Sequence, residues 1–166
     1  MERTLYSYEY VNVPFDAVIR LLADHPDRIL GSATDEAATH ADEVVRSLSA
    51  RVAGVEVSHD TRIIVERFVP TGARSGVLPL RWRSARAEAL FPAMEAGLEV
   101  AAVSLHPPLT QVSLIGRYRP PLGIAGWAGD ALVGHRIAEV AVRRFVRGVA
   151  ATIEAVFAGT PLSNIA

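Results

Sequence analysis

The end of the chain constrains its fold most. Gln111 to Tyr118 alternates as a strand, passes through Pro120-Pro121-Leu122-Gly123, and gives way to a helical pattern that reaches Phe157. A strand that feeds one long terminal helix implies a helix lying across a sheet built from the rest of the chain. With Asp130 as N-cap, that helix spans roughly 40 Å at the usual rise per residue. Its angular pattern has three sides. Arg136, Glu139, Arg143, Arg147 and Glu154 form a narrow charged stripe, and Val142, Phe145, Val146, Val149, Ile153 and Val156 form a broad apolar face. Ala141, Gly148, Ala151 and Ala155 line a third side of small residues. Such a helix should be clasped, and the small-residue side is where empty volume is expected.

Upstream, Leu5 to Val13 alternates with Tyr6, Tyr8 and Tyr10 on one side, which predicts a strand. Pro14 stops it and suits a first helical turn, with Asn12 or Val13 at the cap. Phe15, Val18, Ile19 and Leu22 then predict a short helix to about Ala23, ended by Asp24-His25-Pro26-Asp27. Asp35 is a cap candidate for a second small helix through Val44, Val45 and Leu48. From Arg51 the period becomes two. Strands are predicted near Ala53–Ser58, Arg62–Val69, Val77–Ala85, Leu98–Leu105 and Gln111–Tyr118, joined by short turns such as His106-Pro107-Pro108. Short links between successive strands predict an antiparallel meander. The expectation is an α+β domain over residues 1–166, with a curved antiparallel sheet of about six or seven strands around the C-terminal helix and two small helices after the first strand.

Composition narrows the chemistry. At 166 residues, half of them hydrophobic and 21% charged, the chain is globular rather than disordered. It contains no cysteine and no lysine, so all 17 basic residues are arginine. Disulfides, thiolate nucleophiles, Cys-based zinc sites, Schiff bases and a P-loop lysine are excluded. The net charge of -1 provides no field to recruit nucleic acid. No run approaches the ~18 apolar residues of a membrane span, and Met1-Glu2-Arg3-Thr4 shows no signal pattern, so a cytoplasmic protein is the default expectation. GxSxG and HExxH are absent, and no histidine spacing fits a metal site; neither a metal nor a cofactor is expected.

The order of strand, two small helices, meander and long C-terminal helix resembles the START-like or SRPBCC superfamily, the helix-grip fold of the birch-pollen allergen, steroid-transfer domains and bacterial polyketide cyclases. Gly116-Arg117-Tyr118-Arg119-Pro120-Pro121-Leu122-Gly123, with Gly126, Asp130, His135-Arg136 and Ala138-Glu139, is similar to small actinobacterial members of unassigned function; so are Leu80-Arg81-Trp82 and Leu90-Phe91-Pro92. The resemblance covers nearly the whole chain. It implies the fold and a cavity between sheet and helix, and carries over no catalytic motif, because the superfamily holds carriers, cyclases, hydrolases and chaperone cofactors.

Trp82 and Tyr118 share alternating faces with Leu80 and Leu114. They read either as ordinary core aromatics or as walls of a cavity, with the tyrosine hydroxyl as polar handle. Arg81, Arg83, Arg117 and Arg119 take the opposite parity and belong on a solvated outer face, paired with acids such as Glu88 and Glu99, rather than on a nucleic-acid stripe. His135 with Glu139 reads as a structural pair before it reads as a base or ligand set. Arg144 projects from the small-residue side, either toward an anionic group at a cavity mouth or toward an acid such as Glu66. The glycines Gly123, Gly126 and Gly129 serve turns rather than a phosphate.

The functional expectation is therefore binding of a small hydrophobic molecule, of lipid, polyketide or isoprenoid type, without assigned chemistry. The cavity candidates are Tyr8, Glu66, Leu80, Trp82, Leu114, Tyr118, Arg144, Phe145, Gly148 and Val149. Two alternatives stand beside it. One is a polyketide cyclase or dehydratase with Tyr8, Glu66 or Arg144 supplying polar groups. The other is an interaction module that forms a homodimer through its Arg-rich sheet face or helix stripe. The small, polar start of residues 29–48 suggests a lid.

Overall fold

Pro14 separates the first two elements. Its ring cannot donate to a strand ladder, and its carbonyl accepts from Ala17 and Val18 N–H at 2.9 and 3.1 Å. The N-cap is thus Pro14 itself, rather than Asn12 or Val13, and it acts through its carbonyl with no side-chain cap. In the computed structural model, strand β1 (Arg3–Val11) precedes it and helix α1 (Phe15–Asp24) follows. The chain continues through β2 (Thr61–Val65), β3 (Val69–Gly72), β4 (Ser75–Ser84), β5 (Met94–Leu105), β6 (Pro108–Tyr118) and α2 (Ala131–Phe157). Residues 3–26, 28–31, 33, 61–84, 94–118 and 131–161 are described, without side chains at 61–63, 82–84 and 131–137. The helix expected from Asp35, the strand expected over Ala53–Ser58, most of the suggested lid and the glycine-rich segment before α2 lie outside these residues.

The described strands form one antiparallel sheet of six, ordered β1-β6-β5-β4-β2, with β3 also on β4. Strands β4, β5 and β6 pair in sequence order as a meander. The β5–β6 turn, at the predicted His106-Pro107-Pro108, contains a cis His106–Pro107 bond. An antiparallel sheet with one long helix across its inner face is a helix-grip fold of the α+β class.

One predicted strand is divided. Val65 stands opposite Leu80 and Val69 opposite Val77, so five residues of one strand face four of the other. The cause lies in Pro79. Its carbonyl accepts from Glu66 N–H at 3.0 Å on this side, but its nitrogen has no hydrogen to return. The ladder therefore breaks into β2 and β3. The bulge also lets Phe68 turn over Gly76, where any Cβ would overlap its ring.

Helix α2 packs chiefly against β1 and less against β6. Arg147 pairs with Glu9 at 3.5 Å, and Glu154 accepts from the Asn12 backbone N–H at 3.0 Å. The charged stripe is consequently not wholly solvated, because two of its members anchor the helix to β1 and the turn after it. The helix ends at Phe157 in a Schellman motif: Gly159 N–H donates to Val156 and Thr160 N–H to Ala155, both at 3.0 Å. That closure needs a left-handed residue, which Gly159 supplies at φ 97°.

Candidate functional site

The inner face of the sheet is built by parity. Leu78 and Leu80 on β4, Leu98 and Val100 on β5, and Val112 and Leu114 on β6 all point inward and are at most 3% exposed. Opposite them, Val142, Phe145, Val146, Val149 and Ile153 make the buried face of α2. Helix α2 makes most of its sheet contacts with β1 and fewer with β6, and the apolar residues of β4 and β5 are hidden from water. Helix α1 closes part of the same side, with Val18 and Leu22 buried and the chain at Ile29, Leu30 and Ala33 buried beyond it. Thr110, fully buried where β6 begins, donates its hydroxyl to the Val13 carbonyl at 2.7 Å.

The far end of this wall is polar. Tyr118 is 3% exposed and stands opposite Arg3 in the β1–β6 register. Its hydroxyl is hydrogen-bonded to the Arg3 side chain, and the Glu139 carboxylate lies within electrostatic reach. Burial is the main influence on this phenol and pushes its pKa up; the Arg3 charge opposes the shift and Glu139 adds to it. At neutral pH Tyr118 is therefore a neutral hydroxyl that gives and takes hydrogen bonds and cannot act as a base. Sequence spacing gave no hint of Arg3, since strand register alone brings positions 3 and 118 together.

The predicted cavity residues divide into three groups. Leu80, Leu114, Tyr118, Phe145, Gly148 and Val149 are buried on the two facing surfaces, and Arg144 is half-buried on α2. Trp82 pairs through its backbone with Ile63 and Met94, and its side chain is outside the described residues. Tyr8 and Glu66 do not join the wall. Tyr8 is 48% exposed on the outer face, where its ring packs tilted against Tyr6 and edge-on against Tyr10, with centroids 5.9 and 5.5 Å apart. The inward parity of β1 belongs instead to Leu5, Ser7, Glu9 and Val11. Glu66 is exposed in the bulge and binds Arg81 at 3.2 Å, so it does not serve as the acid for Arg144. Arg81 and Arg117 face outward, as their parity predicts.

A groove of about 370 Å³ opens between α1 and the β3–β4 hairpin, lined by Phe15, Ile19, Phe68, Pro70 and Ala73 among others. Phe68 connects it to the inner face through its contact over Gly76. Among the described residues, no three His, Asp or Glu side chains converge as metal ligands, and no helix is long and apolar enough to cross a membrane.

No family model and no curated protein matches the sequence. Solved structures are similar in shape. The Zhui aromatase/cyclase of Streptomyces sp. R1128 is 17% identical with a TM-score of 0.44, covering 97% of this chain and 100% of that one. TTHA0849 of Thermus thermophilus is 16% identical with a TM-score of 0.48, covering 93% and 99%. Ara h 8.0201 is 9% identical with a TM-score of 0.45, covering 92% and 98%. The helix-grip assignment itself stands on element order and register.

Proposed function

We propose that the chain binds a small hydrophobic molecule between the inner face of β4-β5-β6 and α2. The observation that carries this reading is the apolar interior: leucines and valines of β4, β5 and β6 and the buried face of α2 turn into one shared core. Binding would work by burial. At ~25 cal/mol per Å², hiding a few hundred Å² of apolar ligand surface is worth several kcal/mol before ordering costs. Tyr118 supplies one neutral polar contact at the end of the wall, which suits a ligand with a carbonyl or hydroxyl group. The groove beside Phe68 is the route in. Native mass spectrometry and titration with an apolar fluorophore test the reading. Bound apolar material, displaced by a filling substitution at Leu80 or Leu114, supports it; no bound material and no fluorophore binding overturn it.

A second reading, an enzyme of the cyclase or dehydratase type, is favoured by the Arg3–Tyr118–Glu139 group, in which a neutral phenol held by a guanidinium can polarise a carbonyl. Turnover of a polyketide-like substrate that is lost in Tyr118→Phe would select it over simple binding.

A further inference from the structure

The outer face of the sheet carries a pattern that the inner site does not use. Strand register aligns its outward residues in rows across β1, β6, β5 and β4. The rows read Thr4–Arg117–Glu95–Arg81, Tyr6–Ile115–Gly97–Pro79, Tyr8–Ser113–Glu99–Val77 and Tyr10–Gln111–Ala101–Ser75. Tyr6, Tyr8 and Tyr10 are 57, 48 and 48% exposed and Ile115 is 38% exposed, so large aromatic and apolar groups share this solvated face. Beside them, at Gly97, the face dips into a groove of about 400 Å³ rimmed by Glu95, Arg81, Ile115 and Arg117 among others.

We infer that this face is the contact between two copies of the chain, stacked outer sheet on outer sheet. Consider a two-fold axis between the sheets, parallel to the strands and midway between β5 and β6. It lays β6 of one copy over β5 of the other, and β1 over β4, at equal heights along the strands. Each row then meets its complement. Arg117 stands over Glu95 of the second copy and Glu95 over its Arg117. Ile115 enters the dip at Gly97, and Gly97 receives Ile115. Tyr6 stacks on Pro79 and Tyr8 on Val77. No like charges meet across the axis, and both knobs find holes. The three tyrosine rings suit such a contact, because rigid rings lose little entropy on binding. Four strands spaced about 4.8 Å apart over about seven residues cover roughly 450 Å² per copy. That is below the ~800 Å² per partner of a standard interface, so the dimer is weak and concentration-dependent.

The test is sedimentation of the whole chain from about 10 to 500 μM, with charge-reversed variants at exposed positions. Wild type shifts from monomer to dimer as concentration rises. Arg117→Glu alone places glutamates against Glu95, Glu95→Arg alone places arginines against Arg117, and each variant is monomeric throughout. An equimolar mixture of the two forms a heterodimer with wild-type affinity, because both cross-copy pairs are again of opposite charge, one as in the wild type and one with its sign reversed; circular dichroism shows that both variants are folded. Tyr6→Glu, at a separate exposed position, weakens the dimer at least tenfold. A wild type that stays monomeric to 500 μM overturns the inference. So does a dimer indifferent to these substitutions, or a mixture that fails to associate.

Discussion

Replacing Tyr118 by Phe probes a polar group at the end of the inner wall. The ring, its volume and its strand position are kept, and only the hydroxyl shared with Arg3 is lost. A hydrogen bond to a charged partner contributes about 1.5–3 kcal/mol. Arg3 is half-buried and keeps access to water after the change, so the loss falls to about 1 kcal/mol. For a chain of this length that lowers Tm by about 3 °C, measured by calorimetry at pH 7. Alkaline pH adds a signature. The folded-state pKa of Tyr118 is raised, so its protonated form stabilises the fold below about pH 10, and this contribution is lost as pH climbs through the folded pKa. The stability gap between wild type and Tyr118→Phe therefore narrows above pH 10. In an ultraviolet titration of the chain's four tyrosines, the variant lacks the delayed component from Tyr118. Affinity for an apolar ketone or alcohol falls about five- to tenfold, the equivalent of one hydrogen bond. Equal Tm, an unchanged alkaline limb and equal affinity would refute the assignment of a polar end to this wall.

Other substitutions probe the frame around the site. Thr110→Val leaves the buried Val13 carbonyl without its 2.7 Å donor and costs about 1–3 kcal/mol in urea denaturation; a change below about 0.5 kcal/mol contradicts the role given to that bond. Phe68→Ala opens the groove beside Gly76, so stopped-flow release of an apolar fluorophore speeds up several-fold; an unchanged rate rules out this route. Glu9→Gln breaks the pair with Arg147, but both side chains are partly solvated, so stability changes by less than about 1 kcal/mol and the effect fades with added salt.

Much of this architecture was legible because each signal was local. Pro14 ended a strand, the period of 3.6 marked α1 and α2, and the parity of Arg81 and Arg117 placed them outside. The first strand was harder. Its aromatics sit at Tyr6, Tyr8 and Tyr10, so hydrophobicity favours that side for the core, yet the inward side carries Ser7 and Glu9. Glu9 shares the inward parity of the buried Leu5 and Val11 and meets Arg147, a helix residue 138 positions away that no local pattern reveals. The break at Glu66–Phe68 arose likewise from Pro79 on the neighbouring strand, and became visible only once the two were in register. The polar end of the wall has the same origin, since Arg3 and Glu139 reach Tyr118 from the two ends of the chain.

The central claim is that apolar volume between sheet and helix holds a hydrophobic molecule. Native mass spectrometry of the purified chain, set beside its Leu114→Trp variant, tests it most directly. Leu114 is fully buried on the inner wall, so an indole there fills the space a ligand needs. The account predicts a wild-type adduct that organic solvent extracts as apolar material, and a folded variant without it. A wild type that runs as the bare chain and takes up no added apolar ligand would contradict the claim.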